Sequence, residues 1–192
     1  MALDLTGTLT CILEAPASCS LALADDAHGL PSIAWSTSDG HSLPLDLSTE
    51  LVLPRVWSEP VQELGLDEAG QSAWTALRER LAAVQGVELH GEDPQPCVVH
   101  RFLGYPDERT GNMPIECELR AAGIDLEGGP AFAHARAAEL GPRSTRWRML
   151  LQLSTDDLLG WSWGSGAERL YVWIDGADLA AGELSRTCTI IQ

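Results

Sequence analysis

The chain has 192 residues, enough for one sizeable core and few for two, and its 45% apolar and 21% charged residues are those of an ordinary globular protein, so a single domain over residues 1–192 is expected. Its 28 acidic residues against 12 basic ones leave a formal net charge of −16, a field that repels nucleic acid and anionic lipid and excludes both as partners. All 12 basic residues are arginine, which excludes Schiff-base and P-loop lysine chemistry.

The first ten residues alternate apolar and polar side chains instead of running from a basic region into an apolar one, and no stretch has the apolar length of a membrane span. A cytoplasmic protein is expected. Five cysteines, Cys11, Cys19, Cys97, Cys117 and Cys188, are odd in number and widely spread, as buried thiols are, so no disulfide framework is expected. Cys97 and His100 form a lone C-x-x-H without the second half that a four-ligand zinc site requires, so no metal is expected.

Short apolar runs at 9–13, 21–24, 33–35 and 51–57, punctuated by Pro, Gly, Asp and Ser, predict strands. Asp67 then caps a helix whose apolar residues Ala73, Trp74, Leu77, Leu81 and Val84 recur at helical spacing, with Gly86 placed to end it. A turn-rich stretch at 91–96 precedes an apolar run at 97–103 suited to a buried strand. Residues 115–122 read as a helix ended by Gly123, although alternation fits them almost as well, and 128–141 as partly helical. Strands are expected at 147–153, 169–174 and 187–191, with a short helix near 177–181 between the last two. Strand-rich ends around a few helices predict an α+β class with a mixed or antiparallel sheet.

Several strings from residue 97 onward resemble one family. H-R-F-L-G-Y-P-D at 100–107 is similar to a family segment H-x-L-L-G-Y-P-D, and is followed by Gly111, Met113 and then E-C-E-L at 116–119. W-R-M-L-L-Q at 147–152 resembles the family's W-x-L-L-L-Q strand. Trp163 and Gly164, R-L-Y-V-W-I at 169–174, Asp178 with Leu179, and the closing Ile191 and Gln192 keep the same order. The family is the YwqG-like proteins, a bacterial domain of unknown function numbered 1963. The resemblance implies an α+β fold and no assigned activity. Members are usually longer, so the chain is expected to be a form shortened at its N-terminus. Thr110, Asn112 and Ser165 stand where the family often carries amide or acidic side chains.

Chemistry-bearing candidates come with plain structural alternatives. His100 beside Arg101 offers a base and an anion clamp, or a histidine satisfied at a strand edge. Glu116 and Glu118 share a face on a strand and diverge by about 200° on a helix, where they make no carboxylate pair. Asp156 and Asp157 follow a strand and suit a cap or turn. Trp161 and Trp163, set among glycines, are either a ligand floor or core. No G-x-S-x-G, P-loop, H-E-x-x-H or paired C-x-x-C occurs, so neither a cofactor nor a common enzyme class is expected. The leading expectation is a non-catalytic interaction protein whose acidity suits a basic protein partner, with an immunity-like role as one form. The alternative is a small-molecule-binding protein or enzyme with a pocket around His100, Arg101, Tyr105, Trp161 and Trp163. A subunit role is the third, and homo-oligomerisation stays open.

Overall fold

A computed structural model describes the backbone of four strands within residues 7–45 and, in atomic detail, residues 51–85, 100–108, 111–126, 128–156, 162–164 and 168–192. The chain forms two compact units, Met1–Thr49 with Ile174–Thr187, and Glu50–Trp173 with Cys188–Gln192. The class is α+β, with two four-stranded sheets and five α-helices among the described residues.

In the first unit, β1 (Gly7–Cys11), β2 (Cys19–Asp25), β3 (Pro31–Thr37) and β4 (Ser42–Leu45) form an antiparallel meander. Its register sets Leu21 opposite both Leu9 and Trp35, and Trp35 opposite Leu43. β4 carries Pro44, which has no N–H for a central ladder and is tolerated because β4 lies at the sheet edge. That proline hid the strand from the apolar-run reading.

The second unit holds α1 (Glu59–Gln62), α2 (Glu68–Gln85), β5 (Arg101–Phe102), α3 (Met113–Ala121), α4 (Ala137–Leu140) and β6 (Trp147–Ser154). β7 (Arg169–Asp175) and β8 (Thr187–Ile191) complete a second sheet in the order β5-β6-β7-β8, and α5 (Gly176–Ala181) connects them. β5 runs antiparallel to β6, and Arg169 and Gln192 exchange both backbone hydrogen bonds at 2.9 Å, the pattern of a narrow antiparallel pair. The strands expected at 147–153, 169–174 and 187–191 and the helices near 115–122 and 177–181 are thus present within a residue or two of their expected ends. The expected turn at 91–96 and most of the 97–103 strand lie outside the described residues.

α3 packs on this sheet. Met113 and Cys117, one helical turn apart, meet Trp147, Met149, Tyr171, Trp173, Cys188 and Ile190 in one buried cluster. Leu119, on another side of α3, closes a smaller cluster with Ala131 and Leu140. Cys117 and Cys188 are free thiols in hydrogen-bonding reach of each other, and burial drives the Cys117 thiol up. Cys11 and Cys19 are backbone partners across β1 and β2, and Cys97 lies outside the described residues.

Two expectations are corrected. Asp67 does cap α2, its carboxylate accepting the Gly70 N–H at 2.8 Å, but the covered face of the helix is not the expected stripe. Leu77 and Val84 are 53% and 79% exposed, while Trp74, Arg78, Leu81 and Ala82 turn inward. The reason lies in residues 51–57, which were expected as a strand and are not one. Their carbonyls are satisfied by α2 side chains instead of a sheet ladder: Trp74 Nε1 donates to Pro54 at 2.9 Å, Arg78 Nε to Leu53 at 3.2 Å and Gln85 Nε2 to Leu51 at 2.9 Å. Gln85 Oε1 also accepts the Leu51 N–H at 2.7 Å, so this segment is laced along the helix. The lacing turns α2 so that Arg78 points into the protein.

Candidate functional site

The turn after β5 builds the site. Leu103 and Gly104 both adopt positive φ, 61° and 79°, and the Leu103 N–H donates to Leu150 O at 2.9 Å. A left-handed leucine costs about 1 kcal/mol, and glycine beside it relieves the second position. The reversal leaves Tyr105 exposed and sends Pro106, Asp107 and Glu108 into the interior.

Asp107 is fully buried, and three guanidiniums converge on its carboxylate. Arg55 donates to Oδ1 through Nε at 3.0 Å and Nη2 at 2.8 Å, Arg78 Nη2 reaches the same oxygen at 2.8 Å, and Arg169 Nη1 reaches Oδ2 at 3.2 Å. The main chain is held as well. Its N–H donates to Gln152 Oε1 at 2.8 Å, and its carbonyl accepts from Arg169 Nη1 and, at 3.2 Å, from the Tyr171 hydroxyl. Arg101, buried at the start of β5, adds a fourth cation close enough to act on both Asp107 and Arg78.

Burial works to raise the Asp107 carboxyl, but Arg55, Arg169 and Arg101 overcome it and hold the group below the usual carboxylate range. The opposite strain falls on Arg78, whose pKa is pulled down by burial and by Arg55 and Arg101 despite its contact with Asp107. Among the described residues, Arg78 and Arg169 have no carboxylate other than the one they share, and Nη2 of Arg169 is buried without a hydrogen-bond partner. A guanidinium nitrogen in that state is an unmet demand for an acceptor. Arg55 and Arg78 keep 17% and 11% of their side-chain surface, so the cluster meets solvent on their side.

Glu108, beside Asp107, is 5% exposed. Burial, with the nearby Glu59 and Asp107 carboxylates, raises its pKa to about 7 against the opposing pull of Arg55. Glu59 on α1 is itself raised by burial, and it accepts from the Ser144 hydroxyl at 3.3 Å. Burial likewise pushes the Tyr171 phenol up to about 12, so it stays a neutral donor.

Of the five residues expected to line a pocket, Arg101 belongs to this cluster. His100 points elsewhere: its Nδ1 accepts the Ser154 N–H at 3.2 Å, which places the proton on Nε2, facing Asp156 Oδ2 at 3.3 Å. Both ring nitrogens are occupied, an arrangement that orients the ring rather than freeing a base. Tyr105 is 42% exposed, Trp163 is buried at 8%, and Trp161 lies outside the described residues. Glu116 and Glu118 diverge on α3 as helical geometry requires, Glu116 pairing with Arg120 at 2.6 Å. Buried Glu118 accepts from Arg146 Nε at 2.9 Å and Trp147 Nε1 at 3.1 Å. Glu118→Gln is expected to lower stability by about 2 kcal/mol through loss of these charge-assisted bonds, measured by urea unfolding followed through tryptophan fluorescence. Among the described residues no group of three or more His, Cys, Asp or Glu side chains is arranged to hold a metal ion.

Arg55, Arg78, Asp107, Glu108 and Arg169 were not singled out from the sequence as site residues. The signals were an arginine on the inward face of an amphipathic helix, another opening an otherwise apolar strand, and an acidic pair ending the L-G-Y-P turn. No helix among the described residues is long and apolar enough to cross a membrane. No curated protein and no solved structure matches the chain. A family model does match, over residues 42–192, which include the whole arginine cluster and the turn that carries Asp107. The chain belongs to the family described as a domain of unknown function, DUF1963, the family its G-Y-P-D and W-R-M-L-L-Q strings resemble.

Proposed function

We propose that this protein is a non-catalytic small-molecule-binding protein whose site is the arginine cluster around Asp107, and that its ligand presents an oxyanion, a carboxylate or a phosphate. The observation that carries the reading is the convergence of Arg55, Arg78 and Arg169 on one buried carboxylate, with a guanidinium nitrogen of Arg169 left without an acceptor. Planar guanidiniums are suited to bidentate capture of carboxylate and phosphate, and at low dielectric such contacts are stronger than in water. In a chain of net charge −16, a local cationic site also selects its ligand against the surrounding field.

The test is thermal unfolding at fixed ionic strength with phosphate, acetate or chloride. Ligand at about a hundred times its Kd stabilises by about 2.7 kcal/mol, a Tm rise of several degrees for a chain of this size. Phosphate or acetate is expected to produce that rise in the wild type and less than half of it in Arg78→Met, which keeps the aliphatic packing. Equal response to all three anions in both proteins would refute the reading.

A second reading is favoured by the net charge of −16: the protein docks a basic protein partner in the cytoplasm. Salt screens such an encounter, so a stoichiometric basic protein retained at low salt and released at high salt is the expected result. Recovery of none from the native host would remove it.

A further inference from the structure

We infer that the arginine cluster takes up one proton with each anion it binds, and that Glu108 is the residue that holds that proton. The inference rests on the oxyanion reading and adds what regulates it. Glu108 follows directly on Asp107, is buried with it after the Leu103–Gly104 reversal, and lies in electrostatic reach of Arg55, Glu59 and Asp107. It is 5% exposed, and no hydrogen bond of the described residues reaches its carboxylate.

The groups that act on it come from each element packed around the cluster. Arg55 precedes α1, Glu59 stands on α1, and Asp107 is its chain neighbour; beyond these lie Arg78 on α2, Arg101 on β5 and Arg169 on β7. Glu59 and Asp107 disfavour its ionisation, and burial does so most, while Arg55 favours it. Among the described residues the cation that opposes them is Arg55, one of the two arginines on the solvent side of the cluster.

An oxyanion arriving on Arg55 and Arg78 changes that balance. It takes up part of the Arg55 field and brings new negative charge beside Glu108, and both effects favour the protonated carboxyl. Once protonated, the group stops repelling the ligand and has an O–H to donate, and an oxyanion is its natural acceptor. Ionised, it repels the same ligand. Glu108 thus makes the site accept an anion readily below neutral pH and weakly above it.

Calorimetric titration with sulfate, whose own charge is constant between pH 6 and 8.5, tests this. Wild-type affinity is expected to fall about tenfold for each pH unit above the Glu108 titration, and paired runs in two buffers of different ionisation heat should show net proton uptake of about half a proton per sulfate at neutral pH, approaching one at pH 8.5. Glu108→Gln, which keeps shape and a donor, should bind sulfate across the range with no pH dependence and no proton uptake. Binding that is weakened by Arg78→Met but is pH-independent in the wild type, with no proton taken up, overturns the role of Glu108 and leaves the oxyanion site standing. Absence of sulfate binding in the wild type at pH 6 overturns both.

Discussion

Asp107→Asn is expected to lower stability by about 3–5 kcal/mol, the largest effect of any single side-chain change in the cluster. The amide keeps the size of the carboxylate, and the main chain at 107 remains tied to Gln152, Arg169 and Tyr171. What is lost is the counter-charge of Arg55, Arg78 and Arg169, of which Arg169 is 1% exposed. Removing one partner of a buried ion cluster leaves the others uncompensated, which is why the cost exceeds that of a surface pair. Urea unfolding at neutral pH measures it. The same substitution should flatten the acid limb of the stability profile. The Asp107 pKa is lower folded than unfolded, so its contribution is complete above the unfolded carboxylate range and is lost as pH falls through the folded value. Because the variant has lost the counter-ion the guanidiniums share, sulfate should restore part of its stability. A loss under about 1 kcal/mol would show that the cluster is not held through this carboxylate.

Glu108→Gln works in the opposite direction. Folded Glu108 titrates at about 7 against an ordinary value of 4.5, so its folded form binds the proton more tightly than its unfolded form. The stabilisation is complete below the unfolded value and is lost as pH rises through the folded one, leaving an ionised, buried carboxylate above pH 8. That difference corresponds to about 3 kcal/mol. The glutamine variant is therefore expected to match the wild type near pH 4 and to exceed it by roughly 2–3 kcal/mol at pH 8.5, measured by denaturant midpoints across the pH range. A variant less stable than the wild type at pH 8.5 would mean that ionised Glu108 is compensated by its surroundings. A residue that costs stability at neutral pH and is nevertheless buried beside a cationic cluster is the pattern expected of a binding site.

Much of the α+β architecture was legible because it follows local rules. The Asp67 cap, the Gly123 stop after α3 and the apolar runs of β6, β7 and β8 are each set by residues within a few positions of one another. The covered face of α2 was not, because helical periodicity ranks apolar residues and here the deciding groups are polar: Trp74 Nε1, Arg78 and Gln85 bonding to carbonyls of residues 51, 53 and 54. The same long-range bonds explain why residues 51–57 look like a strand and do not form one. The candidate site was illegible for a related reason. Its contacts span 29, 52 and 62 positions, and each arginine alone reads as a solubilising surface residue in an acidic chain. Only Arg101 was singled out, and for its adjacency to His100, whose ring is turned to Ser154 and Asp156 instead.

The Asp107 cluster is proposed above all to take an oxyanion. Crystals grown with selenate, a sulfate analogue that can be located by its anomalous scattering, test it most directly. A selenium peak is expected within hydrogen-bonding reach of the Arg55 and Arg78 guanidiniums, weakened or absent in Arg78→Met. Selenate bound elsewhere on the protein, with none at these two side chains, would contradict it.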